Sequence, residues 1–338
     1  MIAGVPASVS SQPLRAALVG AGVMGRWHAR AVAAAGGRLV AVVDRDPGRA
    51  RELAADARVL TSLDGLGALD HRPDVVHVCT PVEAHAEHVR GALALGAHVL
   101  VEKPVAPDAA ATRALLDEAA AAGRLLVPVH QFLFQPGVLR LLAAGRDLGE
   151  LVHCTFLAAS AGADTGRLTA DELVAEILPH PLALFARLLP GGLAAAEWEA
   201  HRPAPGELRA AATAGATSLA IVLTSRGRPT RAELELVGTR ASAAADLFHG
   251  FAVVERGTTT RARKLARPFL RGSSTLLAAG ANLTLRAARR ETAYPGLGEL
   301  VRRTYEAIVA GGPSPVPPAE TLAVAEARDA ILAAARGG

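Results

Sequence analysis

The sequence predicts an α/β chain in two parts. Residues 1–130 read as a doubly wound parallel sheet, and residues 131–338 as an α+β domain with an open, mostly antiparallel sheet. Strand-like and helix-like runs alternate from Leu14 to His130, a spacing that argues a parallel sheet covered on both faces. After His130 the strand-like runs follow one another while helical stretches gather elsewhere. A chain of 338 residues, half apolar and a fifth charged, also has enough material for two packed units.

In the first part "LRAALVG" is an apolar run ending in glycine, and "AGVMGRWHARAVAAAGG" a helix closed by Gly36 and Gly37. "RLVAVVD" is the next strand, and "DPGRARELAADA" a helix with Asp46 as N-cap and Pro47 in its first turn. "PDVVHVCTP" is a strand, "AHAEHVRGALALG" a helix, "AHVLVEKP" a strand, "APDAAATRALLDEAAAAG" a helix and "RLLVPVH" the last strand. These strands are near-continuous apolar runs, as burial on both faces requires. The boundary falls near Val129 to Pro136. Beyond it, "GELVHCTFLAAS", "ATSLAIVLTS", "RAELELVG", "SAAADLFHG" and "FAVVERG" are strand-like. "PGVLRLLAAG", "TADELVAEILPHPLALFARLL", "GLGELVRRTYEAIVAG" and "PAETLAVAEARDAILAAA" are helical.

Charge and cysteine usage exclude several classes. A net charge of +4 with 3% aromatics lacks the concentrated cations and stacking platforms of a nucleic-acid binder. Cys79 and Cys154 are too few for a disulfide framework, and His71, His77, His85, His88 and His98 lack metal-ligand spacing, so no metal is expected. "MIAGVPASVSSQP" reads as a loose leader, and no apolar run reaches membrane-spanning length. The expectation is a cytoplasmic chain without nucleic-acid or membrane partners, self-associating as a homo-oligomer to cover an open sheet face.

"GAGVMG", Gly20 to Gly25, fits G-x-G-x-x-G between a strand and a helix, the context that makes this spacing a Rossmann dinucleotide fingerprint. Gly20 permits the tight turn, Gly22 close approach of a pyrophosphate, and Gly25 close helix packing. Val23 and Met24 open the helix whose free N–H groups face the phosphates. Asp44, nineteen residues after Gly25, ends the second strand and is placed to accept ribose hydroxyls. Its charge favours NAD; Arg45 beside it would accommodate the extra phosphate of NADP.

"TPVEAHAEHVRGALALGAHVLVEKPVA", Thr80 to Ala106, resembles the signature of the Gfo/Idh/MocA oxidoreductases, the family of glucose–fructose oxidoreductase and inositol dehydrogenase. The resemblance implies that Thr80, Pro81, His85 and Glu102 belong to the cofactor pocket. It implies that Lys103, one of only two lysines, touches nicotinamide and substrate hydroxyl. There an ammonium stabilises developing alkoxide charge and passes a proton where desolvation lowers its pKa. The implied activity is NAD(P)-dependent hydride transfer at a carbinol or ketone carbon of a sugar, cyclitol or sugar-derived metabolite. Reduction of an imine or another small-metabolite carbonyl, and a non-catalytic dinucleotide sensor, are the alternatives.

The family's second motif, Asp-x-Gly-x-His, finds its best match in "EILPHPLA". His180 would be the proton donor or acceptor, with Glu176 orienting it or binding a substrate hydroxyl. The bland alternatives are a buried, satisfied His180 and a solvated Glu176. Glu stands where the family has Asp, and Ala183 where another acid is expected. Pro179 and Pro181 should break or kink the helix that Thr169 and Glu172 cap. In "VHQFLFQP", Leu133 replaces a basic residue of many members, leaving Gln131 and His130 as polar contacts to substrate and suggesting a less polar ligand. The cation-rich segment Arg256 to Arg290 reads as a solvated loop plus an amphipathic helix packed on the sheet or a subunit mate. An electropositive lid or a surface for anionic lipid is the other reading of that segment.

Overall fold

The computed structural model describes residues 12–160, 168–257, 260–288, 291 and 293–337. Strands β1 (Arg15–Val19), β2 (Arg38–Val43), β3 (Arg58–Leu60), β4 (Val75–Val78), β5 (His98–Val101) and β6 (Leu126–Pro128) form one parallel sheet in the order β3-β2-β1-β4-β5-β6. Helices α1 (Val23–Ala34), α2 (Pro47–Ala54), α3 (His85–Ala94) and α4 (Ala109–Ala121) make the crossovers. Alternate residues of each strand serve opposite faces. Ala17, Val76, Val99 and Val101 join Val89 and Leu115 on the face of α3 and α4. Ala16, Val75, Leu100 and Val127 belong to a cluster that runs on into the second half of the chain.

That half begins with α5 (Pro136–Ala143) and α6 (Gly145–Leu148), then β7 (Leu151–Ala159), α7 (Ala170–Ile177) and α8 (Pro179–Leu188). Strands β8 (Glu197–His201), β9 (Glu207–Ala214), β10 (Thr217–Thr224), β11 (Arg231–Gly238), β12 (Ala241–Asp246) and β13 (Phe251–Arg256) follow. Helices α9 (Arg261–Ala288), α10 (Leu297–Ala310) and α11 (Pro318–Gly337) complete it. The seven strands order as β13-β12-β11-β7-β10-β9-β8, with only β7 and β10 parallel. Phe156, Ile221 and Leu234 point into the shared core. Helices α10 and α11 pack back on α1 and α4, so the end of the chain buttresses its beginning.

Three strands, β3, β8 and β9, have no counterpart in the sequence reading. β3 is a three-residue edge strand, and β9, "ELRAAATA", carries alanine where a β-branched signal would be expected. Pairing with β10 makes β9 a strand, through a hairpin turned at Gly215 with φ 61°. The two prolines split the predicted long helix: α7 ends at Ile177 and Pro179 occupies the first turn of α8. The Thr169–Glu172 capping box closes the start of α7, with Thr169 N–H donating to the Glu172 carboxylate at 2.7 Å.

Candidate active site

Because all six strands of the first sheet are parallel, the residues that follow them line a single edge. Gly20 follows β1, Asp44 β2, Thr80 β4, Lys103 β5 and His130 β6. Ligands of open α/β sheets bind at this carboxyl edge.

At the phosphate loop, each glycine has its own geometry. Gly20 sits at φ 97°, and a Cβ there would lie 2.7 Å from the Cys79 carbonyl oxygen. A Cβ on Gly25 would lie 2.1 Å from the Gly20 carbonyl oxygen, so only glycine lets α1 come this close. Above Gly22 there is nothing within 4 Å, and Gly22 caps α1 without any side-chain hydrogen bond. The first-turn N–H groups of α1, those of Val23 and Met24 included, therefore stand beside open space suited to a pyrophosphate. The Asp44 carboxylate accepts the Ala21 N–H at 2.7 Å and the Asp46 N–H at 2.9 Å, which ties the loop to the end of β2. Arg45 beside it is exposed.

At the end of β4, buried His85 sets its ring between the Thr80 carbonyl (2.8 Å) and the Pro104 carbonyl (2.9 Å). It thereby holds the Thr80–Pro81 turn against the turn that carries Lys103, whose bond to Pro104 is cis. Lys103 is 14% exposed; its ammonium donates to the Glu176 backbone carbonyl at 2.9 Å and stands 4.0 Å from the Glu176 carboxylate. The Glu176 side chain itself is half exposed, and no hydrogen bond joins it to His180 among the described residues.

His180, in the first turn of α8, is buried and stacked on Phe132 with ring centroids 4.3 Å apart. Its Nδ1, the Nδ1 of His130 and the Oε1 of Gln131 are buried without a hydrogen-bond partner among the described residues. Burial, and then the Lys103 ammonium and His130, hold His180 well below its ordinary pKa. The two histidines lie within reach of the Lys103 charge, and their orphaned atoms are polar groups that a hydroxylated ligand would satisfy. Leu133 is buried in the core, and Ala183 too. The Arg187 cation, bonded to Glu320 at 2.9 Å, adds its charge at His130.

Comparison with known proteins places this geometry. An oxidoreductase family with an NAD-binding Rossmann fold, Gfo/Idh/MocA, matches residues 14–130. That match covers the first sheet with its helices, and the rest of the chain lies outside it. Inositol 2-dehydrogenase of Rhodococcus erythropolis is 33% identical over 180 residues, 49% of this chain and 51% of that protein. The chain spans about half the length of the curated relatives it matches. Among solved structures, the WlbA dehydrogenase of Bordetella pertussis, in complex with NADH and UDP-GlcNAcA, superposes with a TM-score of 0.78 at 17% identity, covering 98% of each chain. UDP-N-acetylglucosamine 3-dehydrogenase GnnA of Acidithiobacillus ferrooxidans gives 0.75 at 20% identity, over 96% of this chain and 99% of that one. At such identities the likeness concerns the fold.

Behind this site lies a buried polar chain that the sequence reading missed. Glu102 meets His28 Nε2 at 3.1 Å, His28 Nδ1 meets His77 Nδ1 at 2.8 Å, and His77 Nε2 meets the Tyr305 hydroxyl at 2.9 Å. One direction satisfies every member. Tyr305 donates to His77, His77 donates through Nδ1 to His28, and His28 donates through Nε2 to the Glu102 carboxylate. Burial, then His28, holds His77 well below its ordinary pKa, and burial with the Glu102 charge raises the Cys79 thiol. Glu102 is thus fixed from behind, next to Lys103. His28 three residues after Gly25 was a weak signal of an inward-facing side chain; Tyr305, 228 residues from His77, gave none.

His130, named in the sequence only as a polar contact, joins the site centre. Burial, then Lys103 and Arg187, push it down from 6.5 to about 3. With the folded value below the unfolded one, the unfolded chain takes up the proton first. The stability carried by uncharged His130 is therefore intact above pH 6.5 and lost as pH falls toward about 3. The slope reaches at most about 1.4 kcal/mol per pH unit. In urea unfolding at about pH 7 and about pH 5, His130→Gln should lose less stability between the two conditions than the natural chain. Equal losses would assign the acid sensitivity to other groups.

Proposed function

We propose that the chain is an NAD(P)-dependent oxidoreductase acting at a carbinol or ketone carbon of a sugar, cyclitol or sugar-derived metabolite. The observation that carries this reading is the convergence of Lys103, His180 and His130 at the sheet edge, with unpartnered Nδ1 atoms on both histidines. Bound nicotinamide would supply the acceptor or donor for the substrate carbon's hydride. In the oxidising direction His180 Nδ1 takes the carbinol proton while the Lys103 ammonium stabilises the alkoxide oxygen. Gln131 and His130 hold neighbouring hydroxyls, and Glu176 holds Lys103 in place through its carbonyl, its carboxylate lying 4.0 Å away. Asp44 reads the ribose and favours NAD, with Arg45 as the route to NADP. The sugar and cyclitol class is supported by the curated relatives, named for inositol, glucoside and UDP-N-acetylglucosamine oxidation.

The same reading makes the protein cytoplasmic and a homo-oligomer. Support for association comes from Leu157, Ala220, Val222 and Ala244, half-buried on the face of the second sheet turned away from the core. No helix among the described residues is long and apolar enough to cross a membrane.

Titration with NADH and NADPH, followed by nicotinamide fluorescence, tests the foundation, and a polyol and sugar panel followed at the nicotinamide absorbance tests the activity. Tight binding of NADH with polyol-dependent reduction of NAD is the expected result. Binding of neither dinucleotide overturns the reading. Binding without turnover across the panel would instead favour a dinucleotide sensor.

A further inference from the structure

Helix α9 is 28 residues long and contains Arg261, Arg263, Lys264, Arg267, Arg271 and Arg286 without a single Asp or Glu. Its inner side rests on β13. There buried Asn282 and Arg286 both donate to the His249 carbonyl at 2.9 Å. Leu265, Phe269, Leu276 and Leu283 recur at spacings of four and seven residues, so they form one stripe. That stripe lies roughly 100–140° around the helix from Asn282. These four and Leu277 are between 69% and 80% exposed. Leu270 is exposed beside them, and so is Phe248 in the turn that Asn282 grips. Leucine and phenylalanine bared in one contiguous row require a cover.

We propose that α9 lies on an anionic lipid surface, with the Leu265–Phe269–Leu276–Leu283 stripe inserted among the acyl chains and the arginines and Lys264 at the headgroup phosphates. Charge decides the occupant. The helix carries six cations and no acid, so its net field is positive along its length, which suits an anionic surface better than a second copy of the same helix. Among the described residues Glu255, on β13, bonds to Arg267 at 3.1 Å and 3.2 Å, and Glu235 adds its charge there. A row of Leu and Phe bordered by Arg261, with Arg263, Lys264, Arg267 and Arg271 on the opposite side of the helix, is the pattern of an interfacial helix. This revises the expectation of a chain without a membrane partner. It would hold the enzyme at a bilayer face independently of the carboxyl-edge site.

The test is co-sedimentation of the full chain with vesicles of phosphatidylglycerol mixed with phosphatidylcholine, against vesicles of phosphatidylcholine alone. Binding to the anionic vesicles only, weakened by salt, is expected. Arg263→Gln with Lys264→Gln should weaken it roughly 30-fold, each cation near such a surface being a factor of about five. Phe269→Glu with Leu276→Glu should abolish it while the circular dichroism stays unchanged, because both side chains are exposed. No binding to anionic vesicles, equal binding to phosphatidylcholine, or binding that survives Phe269→Glu with Leu276→Glu overturns the proposal. So does a fall in oligomer mass caused by that double variant without any vesicle binding, which would assign the stripe to a second copy.

Discussion

Lys103→Met is expected to lower kcat by about 10²–10³-fold while NADH still binds. Methionine keeps the unbranched stem that packs at the end of β5 and removes only the ammonium. One N–H of that ammonium is spent on the Glu176 carbonyl at 2.9 Å, which leaves two donors for a ligand. The charge is hardly solvated, with Lys103 only 14% exposed, so its field acts at close range on a developing alkoxide. The fold should tolerate the change, at a cost of about 1 kcal/mol for the lost hydrogen bond. Lys103→Arg should not rescue turnover, since a planar guanidinium cannot replace a compact ammonium in this setting. Steady-state kinetics with any polyol that supports reduction of NAD, beside a fluorescence titration with NADH, separates the outcomes. Unchanged turnover removes Lys103 from the chemistry; loss of cofactor binding along with turnover makes it a binding residue only.

A pair of glycine variants separates packing from cofactor contact. Gly25→Ala puts a methyl group 2.1 Å from the Gly20 carbonyl oxygen, so α1 must shift away from β1. Overpacking of this kind costs about 1–3 kcal/mol, and the displaced helix N-terminus should weaken NADH binding by more than about tenfold. Gly22→Ala meets nothing within 4 Å, and Gly22 has φ −74°, which alanine adopts freely. Stability should therefore stay within about 0.5 kcal/mol of the natural chain. NADH affinity should still fall by about tenfold or more, because the methyl group occupies the approach of the pyrophosphate. Thermal melts and fluorescence titrations of both variants read this. If Gly22→Ala binds NADH as the natural chain does, the open space above Gly22 is not where the phosphates sit.

The parallel sheet was legible because its strands are short apolar runs bounded by glycines and caps, information that each segment carries locally. The same holds for the Gly20–Gly25 loop, the Thr169 capping box and the break at Pro179, all of which depend on neighbours within a few residues. Strands β8 and β9 were not legible: "EWEAH" and "ELRAAATA" have little strand signal of their own and acquire it by pairing with each other and with β10. Helix α9 was half legible: its segment read as a solvated loop plus an amphipathic helix, and the structure makes Arg261–Ala288 one helix.

The division at the site follows the same physics. Composition and spacing by themselves determined the dinucleotide loop, Asp44 and the strand-end position of Lys103. Tertiary structure alone decided which groups meet Lys103: the carbonyl of Glu176 nearer than its carboxylate, His130 as a central member, and Leu133 turned into the core. It also joined His28, His77 and Tyr305 behind Glu102, from three elements and across most of the chain. Local order is written in the chain because backbone propensities and caps act over a turn or two. Burial, pKa and hydrogen-bond partnership arise only when distant segments exclude water from the same place.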